Sequence, residues 1–112
     1  MMNWENYRTE LMGRIGDLGK LSPDTVGGYM MASKAGSKTN NLDEKIRQLI
    51  SMAVAVTTRC DGCITVHAEA AVKAGATEAE IAEALGVAVA MNAGAALVYS
   101  ARALDAVKSV TK

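Results

Sequence analysis

Proline occurs once in this chain, at Pro23, and nearly everywhere else apolar residues recur at three- and four-residue steps. That spacing lays a stripe along one face of an α-helix, whereas a half-buried strand needs strict alternation. No alternating run bounded by turn residues is present. The chain therefore reads as all-α, a single domain over residues 1–112.

The stop and start signals divide it into about six helices. Trp4, Tyr7, Leu11, Ile15 and Leu18 form the stripe of a first helix over 3–18, with Gly19 at its end. Ser22-Pro23 opens a second, because serine caps free N–H groups and proline at the first helical position forfeits no hydrogen bond. It carries Val26, Tyr29, Met30 and Ala35 and stops near Gly36, before the polar loop SKTNN. A third begins between Asn41 and Asp43, places Ile46, Leu49, Ile50, Ala53 and Val54 on one face, and reaches Thr58. The fourth runs from the cysteine segment to Ala74, with Gly75 as a left-handed stop. Thr77-x-x-Glu80 is a capping box that opens a fifth, with Ile81, Ala84, Leu85 and Ala88 inward. A break at 92–94 separates it from a sixth that carries Leu97, Val98, Ala101, Leu104 and Val107.

Half of the residues are hydrophobic, yet only 4% are aromatic, and alanine dominates the last two helices. Small side chains let helices approach closely but bury little area each, so part of the apolar surface is expected to be covered by a further copy of the chain. The seven methionines read as core filler.

Charge excludes several partner classes. Acidic and basic residues balance at twelve each, and the basic residues are scattered. Neither nucleic acid nor an anionic membrane surface is an expected partner. The N-terminal MMNWENYRTE has no apolar core, which argues against a signal peptide. The least polar stretch, 85–101, is interrupted by Gly86, Asn92, Gly94 and Ser100 and falls short of the ~20 strongly apolar residues of a membrane span. The expected location is the cytoplasm, where a close cysteine pair points to redox chemistry or metal rather than a permanent disulfide.

Both cysteines and the only histidine fall within RCDGCITVH, residues 59–67. If a helix starts at Cys60, then Cys63 lies in its first turn and His67 one turn further, all on one face. A thiol at the cap meets unpaired N–H groups and the positive end of the helix dipole, which favour the thiolate; Arg59 would add to this. His67 can take or return a proton during thiol–disulfide exchange. Other readings compete. The cysteines can be small buried hydrophobes, or Cys60, Cys63 and His67 can be three zinc ligands completed by a carboxylate or water. Covalent haem attachment is excluded, since Ile64 rather than histidine follows Cys63. A thioredoxin fold is disfavoured because no strand precedes Cys60.

The run LDEKIRQLISMAVAVTTRCDGCITVHAEAAVKAGATEAEIAEAL, Leu42 to Leu85, resembles the carboxymuconolactone decarboxylase family. More closely it resembles the AhpD-like alkylhydroperoxidase branch, which is marked by C-x-x-C-x-x-x-H followed by A-x-K-A-G-A-T-x-x-E-I. The similarity extends through ALVYSARAL. The resemblance implies the AhpD-like helical fold, assembled as trimers or hexamers. It also implies peroxide reduction by a cysteine pair cycling between dithiol and disulfide, with electrons from a dihydrolipoyl protein and no haem, flavin or metal. By resemblance Cys63 attacks and Cys60 resolves, whereas the cap position alone favours Cys60.

One position departs from that pattern. The family places a glutamate twelve residues before the first cysteine, as a proton relay to the histidine; this chain has Gln48 there. Glutamine holds a hydrogen bond but takes up no proton at neutral pH. Glu44, one turn earlier, is the candidate substitute, acting through water, and is otherwise a helix-start charge. Weak activity is therefore expected. The alternatives are a redox-responsive or scaffold oligomer without turnover and, less favoured, decarboxylation of a muconolactone-type acid.

Overall fold

The computed structural model describes residues 1–111. Five helices follow one another: α1 (Trp4–Leu21), α2 (Pro23–Thr39), α3 (Glu44–Thr58), α4 (Asp61–Lys73) and α5 (Glu78–Lys108), with no strand among the described residues. The fold is all-α, as the periodicity requires.

Local chemistry accounts for most boundaries. Asn3 caps α1 by accepting from the Asn6 N–H, Asp43 caps α3 by accepting from Ile46, and Thr77 and Glu80 form a complete capping box at α5. Gly75, at φ +92°, follows α4 in the left-handed region that a side chain would strain. Three expected boundaries need correction, and so does the reading of the methionines as core filler, since Met52 alone is buried while the other six are exposed. Gly19 does not end α1, which continues to Leu21. The stop comes from Pro23, which drives Ser22 to φ −140°, ψ 73°. Likewise α2 passes through Gly36 to Thr39 and ends on left-handed Asn40. The expected break at 92–94 is also absent, so the fifth and sixth helices are one. Asn92 sends its Nδ2 to the Ala88 carbonyl at 2.7 Å, within its own helix, and the lone Gly94 sits among strong helix formers.

The core is small and lies where α3, α4 and the first half of α5 meet. Met52, Ala71 and Ala76 are buried there, with Leu49, Ala68 and Ile81 packed on them. Ile81, Ala84, Leu85 and Ala88 do turn inward on α5. The expected face of α3 is half right: Leu49 packs inward alongside Met52 and Ala55, whereas Ile46, Ile50 and Val54 form an exposed row. Lys45 reaches Glu80 at 2.8 Å and ties α3 to the start of α5. The pair α1 and α2 meets at Gly19, which lies 3.7 Å (ideal Cβ) from Val26. Helix α1 then lies on α4: Arg8 donates to Thr65 Oγ1 at 3.2 Å and pairs with Glu69 at 3.2 Å, while Thr65 donates to the Trp4 carbonyl at 3.3 Å.

Beyond Gly94 every described residue of α5 is exposed, including Leu97, Val98, Tyr99, Leu104 and Val107. This helix is long and apolar enough, by length and composition alone, to cross a membrane; the interruptions in its sequence do not divide it. The radius of gyration is 18.5 Å, against about 13 Å for a compact chain of this length. A single copy is an elongated body with little interior.

Candidate active site

Cys60 is the N-cap of α4, and Cys63 and His67 occupy its first two turns. The chain enters this turn through Arg59, the left-handed end residue of α3 at φ 56°, whose side chain is exposed and joins none of the hydrogen bonds or ion pairs among the described residues. The Cys60 Sγ accepts the Cys63 N–H at 3.1 Å. A cysteine here satisfies a helix-end donor that serine or aspartate satisfies elsewhere. The two cysteines are joined as a disulfide with a Cα–Cα separation of 5.2 Å. That lies inside the usual range of roughly 4.4–6.8 Å.

Small residues and α1 shape the cover over this turn. A Cβ on Gly62 would lie 2.7 Å from Leu11 Cδ2 and 3.9 Å from the Tyr7 hydroxyl. Glycine therefore lets α1 close on the loop between the cysteines, and both sulfur-bearing residues are half-buried beneath it.

His67 is held from the other side, by α3. Its Nδ1 lies 2.7 Å from Gln48 Oε1. Gln48 in turn donates through Nε2 to Glu44 Oε1 at 2.8 Å, and the other Glu44 oxygen accepts from Arg47 at 2.7 Å. So Gln48 does stand next to the histidine, and Glu44 joins the same chain by a direct contact with Gln48. Glu44 is also what its position suggested, a partly exposed charge in the first turn of α3. The hydrogen bonds from Gln48 and then Arg47 hold its carboxyl below the usual carboxylate range. Burial pushes the His67 imidazole below its ordinary value, opposed by the Glu44 charge.

A cavity of about 590 Å³ opens beside the ring, lined by Tyr29, Ser33 and Lys34 of α2 and by Gln48 and Ser51 of α3 together with His67. Of the three residues Cys60, Cys63 and His67, only His67 lines this cavity. Sequence reasoning brought all five candidates to one region but missed Arg47, Tyr7 and Leu11. Arg47 was findable, since it follows Glu44 by three residues on one helix face. The two α1 residues were not, because only tertiary packing brings them to Gly62.

Comparison with known proteins bears on the family and the fold. Residues 21–106 match the model of the carboxymuconolactone decarboxylase family. An uncharacterised protein of Haemophilus influenzae is 51% identical over 93% of this chain and 92% of its own length. The uncharacterised protein 4 in the cox locus of Paracoccus denitrificans is 36% identical, over 80% and 81%. Among solved structures, an apo carboxymuconolactone decarboxylase family protein from Legionella pneumophila superposes with a TM-score of 0.75 at 35% identity, covering 97% of both chains.

Proposed function

The chain belongs to the carboxymuconolactone decarboxylase family, and from that premise we propose that it is a thiol-dependent peroxidase of the AhpD-like type. The observation that carries this reading is a cysteine pair at a helix N-terminus with a hydrogen-bonded imidazole one turn beyond it on the same helix.

The chemistry balances with these groups alone, a hydroperoxide and a dithiol donor. In the reduced protein His67 takes the Cys63 thiol proton, and the thiolate attacks the hydroperoxide. An S–O bond forms as the O–O bond breaks, and the departing alkoxide takes the proton back from His67. The Cys60 sulfur then displaces the hydroxyl of the Cys63 sulfenic acid, which leaves as water, and the disulfide closes. A dithiol of the dihydrolipoyl kind attacks Cys63 Sγ, and Cys60 leaves as a thiolate at the cap, where free N–H groups stabilise it. The second donor thiol then releases Cys63, so one peroxide is reduced to alcohol and water for each dithiol oxidised. The order in which Cys63 attacks and Cys60 resolves follows the family resemblance, and the cap supports Cys60 as leaving group. No flavin, haem or metal enters, and the working compartment is a reducing one such as the cytoplasm.

A second reading, a redox-responsive scaffold oligomer that closes its disulfide without turnover, is favoured by one feature: the amide of Gln48 in place of an acid. Peroxide consumption with dihydrolipoamide as reductant separates the two. The proposal expects catalytic consumption that Cys63→Ser abolishes. Consumption no faster than that of the serine variant contradicts it.

A further inference from the structure

His67 is oriented by a side-chain amide, and an amide can present either an acceptor or a donor to a ring nitrogen. Which of the two Gln48 presents is decided on its far side. There the Glu44 carboxylate, which only accepts when ionised, takes a Gln48 Nε2 proton at 2.8 Å and leaves Oε1 to face the ring at 2.7 Å. Glu44 is itself held. Its second oxygen accepts from Arg47, whose guanidinium also donates to Asn40 Oδ1 at 3.1 Å and to the Leu42 carbonyl. Gly36 leaves the space that Arg47 needs, because a Cβ there would lie 2.6 Å from Arg47 Cδ.

We infer that Glu44 is a positioning residue that sets the tautomer of His67: by fixing the direction of the Gln48 amide, it keeps the ring proton on Nδ1 and leaves the lone pair on Nε2. The Arg47–Glu44–Gln48–His67 chain thereby ties the α2–α3 turn to the imidazole. The tautomer follows from the hydrogen bonds and holds whatever the site turns over; only its catalytic consequence, a base at Nε2, rests on the proposed function.

His67 is the only histidine, so its two ring nitrogens can be read in the full-length protein by long-range ¹H–¹⁵N correlation without assignment. At a pH where the ring is neutral, the wild type is expected to show protonated Nδ1 and bare Nε2. Glu44→Gln frees the amide to reverse and should move the tautomer ratio toward protonated Nε2 by roughly threefold or more, the shift that losing one net hydrogen bond gives. Gln48→Leu, which removes the acceptor altogether, should do the same and serves if Glu44→Gln fails to fold. A wild type with protonated Nε2 as its major form overturns the inference, as does a ratio that folded Glu44→Gln leaves unmoved or, where that variant does not fold, one that Gln48→Leu leaves unmoved. Lost peroxide turnover with the Nδ1–H form intact would instead count against the peroxidase reading alone.

Discussion

A neutral amide beside an imidazole can orient it but cannot share its proton, and that difference sets the expected rate at this site. Restoring the acid is not a single substitution here. Gln48→Glu alone would set a second carboxylate against Glu44, at what is now a 2.8 Å contact. Two carboxylates that close raise one pKa strongly, and the pair would hold a proton between them. Exchanging the residues, Glu44→Gln with Gln48→Glu, puts the acid next to His67 and the amide behind it. A positioned acid–base group commonly contributes ~10²–10⁴-fold, so the exchange is expected to raise peroxide consumption at least ~tenfold while leaving disulfide formation unchanged. Steady-state rates with dihydrolipoamide check this, and a rate at or below the wild type removes support for a proton relay at position 48. The participants were legible in the sequence because Cys60, Cys63 and His67 are helix neighbours, as are Glu44 and Gln48. Their joining was not, since His67 and Gln48 are nineteen residues apart and meet only when α3 packs on α4.

At the scale of elements, two glycines allow close approaches that frame the site: Gly62 beneath α1 and Gly36 beneath Arg47. In an open helix, alanine in place of glycine stabilises by about 0.5–1 kcal/mol. Gly16 on α1 has nothing within 4 Å of an added Cβ, so Gly16→Ala should raise the denaturation midpoint. Gly36→Ala should show no gain or a net loss, because the new methyl displaces an arginine whose guanidinium is fixed by Asn40, Leu42 and Glu44. Urea unfolding of the two variants compares them directly, and equal gains would show that the Arg47 side chain yields freely. Element boundaries were legible wherever a local side chain sets them, as at Asp43, Thr77 and Gly75. Glycine and asparagine do not stop a helix where a stronger local signal competes. At Gly19 proline four residues later decides, and at Asn92 the side chain bonds back into its own helix.

The molecule as a whole buries few apolar side chains and leaves many large ones exposed. Ile46, Ile50 and Val54 make one exposed row on α3, and the second half of α5 shows Leu97, Val98, Tyr99 and Leu104 to solvent. Exposed patches of this extent mark interfaces, and marginal stability leaves little room for a chain that buries so few large side chains alone. We propose a homo-oligomer, a hexamer built as a trimer of dimers, with copies of the chain rather than lipid covering these faces. Light scattering at micromolar concentration should give a multiple of the 11.7 kDa chain mass, and Val98→Asp should lower it. A clean monomer, or co-flotation of the purified protein with lipid vesicles, would contradict the assembly and give α5 a different role. The alanine-rich pattern led to the expectation of uncovered apolar faces. Which faces lie exposed was not legible, because Leu49 and Ile50 are equally apolar in sequence and only the packing of α3 tells them apart.

The central claim is that peroxide oxidises one cysteine pair within one chain, and a single-turnover thiol count tests it most directly. Fully reduced protein is mixed with one equivalent of hydroperoxide without a donor, quenched with an alkylating agent and weighed intact by mass spectrometry. The account predicts that both thiols disappear for each peroxide consumed, that the mass falls by two hydrogens with no added oxygen, and that both labels return after treatment with a dithiol. Two thiols that remain fully alkylated while peroxide persists, or bridges found only between chains, would contradict it.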